Sequence, residues 1–589
     1  MSSSINAPAV RTALASVPAK VTPSPEDWRD VLIYFLMVDR FNNPNAPPKH
    51  APFNAEFGGF QGGTIAGMQA QLPYLKQLGV GAIWFTPVLL NGERLNGSPN
   101  DGTYHGYGIQ DFLSIDPRFA SNSAAPEQEL VDFVKAAHAQ GLYVIFDIVL
   151  NHTGDAFQYP DFAADSHFDF GSKAPFSTFD RAIRWRDRNG NPTGFGDGAT
   201  VPSGTASLFP DELRKNEFFR RRGLADPVET EGDFQSLKQM RTGDPRLGDI
   251  LISCYQYLIA TFDLDGLRID TLKYLDKDFA LTFGNAIREF ALSIGKKNFF
   301  TFGEVYDNEQ RIAQFIGRGS AADGDVVGVD AALDFPLFFT LPGVAKGQIA
   351  PRALVNMYET RKQIERGVVS SHGEASRYFV TFLDNHDQNS RFRFNNPAFD
   401  AQVKLGLACL LSLPGVPSIY YGTELGFSGA GGHDLAVREA MWGAPAPFDR
   451  TNHFYVTIQS LATLRAHEPA LRYGRFYFRQ LSGDGIHFGV SDFNGGVLAF
   501  SRILNRREIV VVANCSTTST FTGQVIVDGN LHTSPSTLRV LFTNLPSVAT
   551  FAVSTTGPAQ IQESNGSLSG GPARVVSVNL APMQVLILG

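Results

Sequence analysis

The stretch LYVIFDIVLNH, residues 142–152, is a β-rich apolar run that stops at two hydrogen-bonding side chains, Asn151 and His152. It follows PEQELVDFVKAAHAQG (126–141), whose apolar positions recur at helical spacing. Working outward from this pair, the same alternation repeats. VLIYFLMV (31–38), GAIWFTPV (81–88), GLRID (266–270), NFFTFGEV (298–305), AALDFPLF (331–338), RYFVTFL (377–383) and PSIYYG (417–422) are further short runs. IAGMQAQLPYLKQLG (65–79), LGDILISCYQYLIATF (247–262) and FALTFGNAIREFALSIG (279–295) are helical candidates between them. Eight strands with intervening helices predict an α/β fold, a (β/α)8 TIM barrel, whose reactive residues sit at the carboxyl ends of the strands.

Three other regions depart from this rhythm. Residues 1–25 are Ala-, Ser- and Pro-biased and read as a loose tail ahead of a barrel over 26–474. Residues 153–240 are Gly-, Pro-, Asp- and Phe-rich without strong periodicity, too long for an ordinary connection, and read as an irregular subdomain inserted after the third strand. Beyond HFYVTIQSLATLRAHEPALRYG (453–474), alternating short runs over 475–589 predict a separate antiparallel β-sandwich.

Composition narrows the function. The 589 residues are 43% hydrophobic and 18% charged, which suits a globular chain with several cores. A net charge of −8, with no basic block beyond Arg220–Arg222, gives a nucleic-acid backbone little to bind and favours a neutral or weakly charged substrate. Cys254, Cys409 and Cys515 match neither a disulfide framework nor a metal motif and read as core thiols. LGLACLLSLPGVPSIYYG (405–422) approaches membrane-span length, but Pro414, Gly415 and Pro417 divide it into a buried helix, a turn and a buried strand. The first residues lack the apolar core of a secretory signal, so a cytoplasmic location is expected.

Candidate chemistry gathers where the apolar runs end: Asp147, Asn151 and His152 after the third, Arg268 and Asp270 in the fourth, Glu304 after the fifth, and Asp384 to Asp387 after the seventh. Alone, each strand-end Asp is a cap or turn former; four such clusters on one rim suggest a site. Arg268 and Asp270, two apart in a strand, project to one side, where the cation keeps the carboxylate ionised as a nucleophile. Glu304 follows the aromatic run FFTF, an apolar setting expected to favour its protonated form. One charged and one neutral carboxyl are what glycoside hydrolysis requires, with Asp387 as a third group for sugar hydroxyls or oxocarbenium charge.

These stretches resemble, in order, the signature regions of the α-amylase family, glycoside hydrolase family 13: DIVLNH (147–152), GLRIDTLKY (266–274), FGEV (302–305) and FLDNHD (382–387). YHGYGIQDFLSIDPRF (104–119), GVGAIWFTPV (79–88) and GVPSIYYGTE (415–424) are also family-like. The resemblance implies Asp270 as nucleophile, Glu304 as acid/base and Asp387 as transition-state stabiliser. It implies Tyr107, His105, His152, Arg268, Lys273 and His386 as substrate-binding residues, and Asp147 as a brace for the arginine. It further implies a retaining α-glucoside hydrolase acting on α-1,4-linked glucans or maltooligosaccharides, needing no organic cofactor. The alternatives are a transglycosidase or glucoside isomerase of the same family, or a non-enzymatic carbohydrate-binding member. Tyr274 and Gly108 depart from the family's frequent His and Trp. Asn151 matches a ligand of the family's common calcium site, so calcium is allowed, although its acidic partners do not stand out in the insert. Asn43 and Asn45 fall in a second calcium loop of some members, but Phe60 takes the place of its acidic residue.

Overall fold

The computed structural model describes residues 3–15, 21–160, 177–224, 231–234, 236–318, 326–533, 535–563 and 566–589. Its centre is a parallel barrel of eight strands: β1 (Ile33–Leu36), β2 (Ala82–Phe85), β3 (Tyr143–Val149), β4 (Gly266–Asp270), β5 (Phe300–Gly303), β6 (Ala331–Ala332), β7 (Val380–Thr381) and β8 (Val416–Tyr420). Neighbours in sequence pair in space from β1 through β6; β7 pairs β8, and β8 returns to β1. A bridge between Leu333 and Val380 closes the ring. Every residue of β1, β2, β4 and β5 is buried, as expected of strands covered by helices outside and packed side chains inside.

Each of the eight apolar runs contains a barrel strand, but the sixth is shorter than its sequence suggests. Only Ala331–Ala332 is strand; Asp334 caps a helix over Phe335–Ala345, with Pro336 in its first turn. Proline is tolerated there because its missing N–H would have had no helical partner. The loose tail is also corrected among the described residues. Pro8–Ala15 form a helix with Val10 fully buried, and Asn6 donates to Glu212 of the insert. The apolar Ala and Val of a segment read as biased composition find a surface to cover. Within 153–240, the described residues hold two-residue strands and single 3-10 turns; residues 161–176, 225–230 and 235 of that span lie outside the described residues.

The nine-stranded sheet of the carboxyl-terminal region is antiparallel, as expected, yet it is not independent of the barrel. Val497–Leu504, Arg507–Asn514 and Val585–Leu588 pair in one sheet. Alternate residues of a strand face opposite ways, and here both sides are covered. Val497, Ala499, Val510, Val512, Leu586 and Leu588 pack inside the β-sandwich, whereas Leu498, Phe500, Ile509, Val511, Val585 and Ile587 join the barrel's core. The sheet turns at Ser536–Thr543, where the register slips between Val540 and Phe542, a bulge that bends the strand. All three cysteines are buried and free. Among the described residues, no helix is long and apolar enough to cross a membrane.

Candidate active site

Strand register creates the first contact. β3 and β4 align Arg268 beside Asp147, and Arg268 shares its face with Asp270. Arg268 Nη1 donates to Asp147 Oδ1 (2.8 Å) and Asp270 Oδ1 (3.0 Å), while Nη2 donates to Glu304 Oε2 (2.6 Å). Asp147 also accepts from Trp84 Nε1 (3.0 Å) and the Tyr107 hydroxyl (2.9 Å), so it braces the site from below. Gly303 lets β5 approach the loop after β4: a Cβ there would lie 2.1 Å from Leu272. Gly106, at φ +88, turns the loop that carries His105 and Tyr107 back over the rim.

The setting of Glu304 differs from expectation. It does not stand in an apolar pocket; its carboxyl is bound by Arg268 and by the Thr271 N–H (3.3 Å). The turn of chain after β4, with Thr271 at φ +49, aims that N–H at it. Burial pushes Asp147 up to about 6, with Arg268 opposing. Burial also pushes the Asp270 carboxyl above the usual range; Arg268 pulls it down, and Glu304, Asp147 and Asp387 push it further up. Asp147 and Asp270 thus share one guanidinium; burial raises both, and repulsion from the neighbouring carboxyls adds to it at Asp270.

His105, Tyr107, His152, Asp270, Lys273, Glu304 and Asp387 line one cleft of about 380 Å³, and Arg268 and His386 are buried beneath it. Tyr107 stacks between His105 and His386 (ring centroids 5.7 and 5.5 Å). His152 Nε2 lies 4.0 Å from Asp270 Oδ2 and has no hydrogen-bond partner among the described residues. Burial holds His105 down to about 3, His152 to about 4 and His386 well below the usual histidine value, so all three are neutral near pH 7. Lys273 sits at the rim, its Nζ donating to the Tyr306 carbonyl (3.1 Å).

Sequence reasoning missed Arg438. From the irregular segment after β8, it donates to Asp387 Oδ1 (3.1 Å), the Tyr104 hydroxyl (2.7 Å) and the His386 carbonyl (3.0 Å), and pairs with Asp434. No periodicity marks that segment; a charged pair four apart, Asp434 and Arg438, was its one signal. Phe234, from the insert, stacks on His152 (6.1 Å) and lies 5.5 Å from Tyr274, extending the cleft with aromatic faces.

Calcium, allowed by the resemblance, does not fit the described residues around Asn151. Its carbonyl accepts from Met240 N (2.8 Å) and its Oδ1 from Gln239 Nε2 (3.3 Å). Asp233 and Asp155, carboxylates of the insert, hold the buried Lys238 ammonium at 2.9 and 3.3 Å. Calcium takes six to eight oxygen ligands, and among the described residues no three His, Cys, Asp or Glu side chains converge. At the second loop, Asn43 donates to the Gly62 carbonyl (2.6 Å), and buried Phe60 lies under Arg118 (4.8 Å).

The family profile "Alpha amylase, catalytic domain" matches residues 35–452. An alpha-amylase of Streptomyces lividans is 30% identical over 485 residues, covering 76% of this chain and 50% of that protein. A cyclomaltodextrin glucanotransferase of Klebsiella oxytoca is 27% identical over 495 residues, covering 76% of this chain and 67% of that one. The chain thus spans half the length of the Streptomyces relative. A solved alpha-amylase of Geobacillus thermoleovorans, complexed with acarbose, is similar in fold at a TM-score of 0.65 and 24% identity, over 96% of this chain and 99% of that one. Because the profile covers well over half of the chain, from within β1 to beyond β8 and across all three carboxylates, the chain belongs to the alpha-amylase family of glycoside hydrolases.

Proposed function

We propose that the chain is a retaining α-glucoside hydrolase acting on α-1,4-linked glucans or maltooligosaccharides. The observation that carries this reading is that Asp270 and Glu304 are held by the two ends of one guanidinium, with Asp387 in the same cleft. Retaining enzymes place their two carboxyls about 5–5.5 Å apart, closer than the inverting pair that must admit a water. Carboxyls bridged by a single arginine suit the closer arrangement.

In the proposed reaction, Glu304 donates a proton to the leaving oxygen as Asp270 attacks the anomeric carbon, forming a glycosyl ester and releasing the alcohol. Water, deprotonated by Glu304, then attacks the same carbon and frees Asp270. Arg268 binds Glu304 through Oε2, which leaves Oε1 to carry the proton. The neutral imidazoles of His152 and His386 and the Tyr107 ring supply hydrogen bonds and a face for the sugar, and Asp387, fixed by Arg438, stands ready for hydroxyls or developing positive charge. Substrate class rests on the named relatives, which include amylases and glucanotransferases.

One observation favours transfer as a second activity. Phe234, Tyr274 and Tyr306 surround Lys273 on one side of the cleft, giving a second sugar apolar faces to stack on. Incubation with starch, maltooligosaccharides, pullulan, sucrose and trehalose, followed by product chromatography, tests both readings. The first reading expects shorter glucans, and NMR in the first minutes should show the α-anomer. A β-anomer appearing before mutarotation would refute the double displacement. Longer or rearranged sugars at high maltose would establish transfer.

A further inference from the structure

We propose that the amino-terminal face of the barrel carries a second binding site, for a phosphate ester on a ring, such as a sugar phosphate or nucleotide. The site is a cleft of about 720 Å³, within the size range of ligand pockets. Its walls come from Arg29 before β1, Arg377 before β7 and Gly415 before β8, with the helix Pro351–Ile364 and the first carboxyl-terminal strand, Arg475–Phe478, closing it. All of these lie at the opposite end of the strands from Asp270 and Glu304, so the proposal stands independently of the catalytic reading.

The charge balance of this cleft is unlike that of the chain. Eight Arg and Lys side chains line it against two carboxylates, Glu359 and Glu374, in a protein of net charge −8. Several cations are matched: Arg377 by Glu374, Lys362 by Glu359, and Arg29 and Arg472 by Asp27 and Asp30. Arg366, Arg475 and Arg502 make no ion pair among the described residues. Arg502 is 2% exposed and donates only to backbone carbonyls, of Ser412 (2.8 Å), Gly474 (3.1 Å) and Arg472 (3.4 Å). Behind it Arg465, also buried, is likewise held by carbonyls alone. A buried charge ordinarily has a counter-charge; among the described residues neither of these two guanidiniums has a carboxylate within ion-pair distance. Burial and neighbouring cations hold Arg502 down to about 9 and Arg465 to about 10, a cost that a bound anion would relieve.

Other atoms indicate the shape of the ligand. Tyr358 lines this cleft, and its buried hydroxyl has no hydrogen-bond partner among the described residues. Tyr473, Phe476 and Tyr477 offer ring faces beside the cations, with Tyr477 42% exposed. Guanidinium forks match phosphate oxygens in pairs, and a doubly charged ester suits several of them better than a single carboxylate does.

The test is calorimetric titration of the full chain with glucose 1-phosphate, glucose 6-phosphate, ADP and ATP, with inorganic phosphate and poly-glutamate as controls. We expect saturable binding of one class of ester, weakened by salt, and about tenfold or more weaker in the variant carrying Arg366→Glu and Arg475→Glu. Both positions are exposed, so that variant should keep the wild-type melting temperature; Arg502→Met should weaken binding further if it folds. The hexose phosphate and nucleotide arms identify the source of the ester. Absence of saturable binding at millimolar ester, or binding unchanged in the double variant, would overturn the proposal. Equal affinity for inorganic phosphate would remove the ring from it, and equal affinity for poly-glutamate would replace the ester with an acidic peptide.

Discussion

At the carboxyl end of the barrel Arg268 is shared by Asp147, Asp270 and Glu304, whereas at the amino end Arg465 and Arg502, equally buried, are held only by carbonyl oxygens. Both ends are built by the same strands and differ in which charge is in excess. At the carboxyl end carboxylates outnumber the cation they share, and burial raises Asp147 and Asp270, with repulsion adding to it at Asp270. At the amino end cations outnumber the carboxylates of the cleft eight to two, which leaves a net positive potential. One scaffold thus presents an acidic cluster at one end and a basic cleft at the other.

The comparison breaks most visibly at Asp270. Asp270→Asn keeps the shape of the side chain but cannot form the glycosyl ester, so turnover should fall on the order of thousands-fold or more with the fold intact. Turnover near wild type in a contaminant-free preparation would remove Asp270 from the nucleophile role. Glu304→Gln comes next: about 100- to 10,000-fold on natural glucans and much less on the first step with aryl glucosides, whose leaving group needs little protonation. Equal losses on both substrates would count against Glu304 as the acid.

Acid stability sharpens the comparison at the carboxyl end. His105 and His152 are held to about 3 and about 4, below the ordinary histidine value near 6.5. The folded chain therefore binds fewer protons than the unfolded chain between those values. The contribution of these groups to stability is complete above about 6.5 and is lost as pH falls through the window. Asp147, pushed up to about 6, acts in the opposite sense, losing stability as pH rises towards that value. The expected result is read as a difference: His105→Asn should show a flatter fall in melting temperature from pH 6.5 to 4 than the wild type. Superimposable curves would show that this imidazole does not carry the effect. The smallest effect is expected from calcium removal. Since Asn151 and the carboxylates Asp155 and Asp233 are engaged within the chain, EDTA should shift the melting temperature by no more than about 1 °C. A loss of several degrees, restored by calcium, would place a cage in the insert after all.

Much of this architecture was legible in advance because strand runs and their polar ends are local. Each of the eight apolar runs carries a strand, and the residues after them, from His152 to Asp387, converge because parallel strands put all their carboxyl ends on one rim. The sixth run was overread, since the helix-capping Asp334 lies inside it. The amino-terminal helix was missed because what its buried residue, Val10, packs against, and what Asn6 bonds, Glu212, are remote in sequence.

The sequence by itself determined the barrel, the order of its strands and the identities of the three carboxylates, for these follow from patterns within a few residues of one another. Tertiary structure alone decided what surrounds them. Glu304 meets Arg268 instead of an apolar wall because β4 and β5 lie side by side. Arg438 reaches Asp387 from a loop with no periodicity. The carboxyl-terminal sheet proves to be packed on both faces, and Arg502 is left without a carboxylate. Burial and charge pairing depend on which distant segments arrive at a given point in space, and one-dimensional spacing carries no record of that.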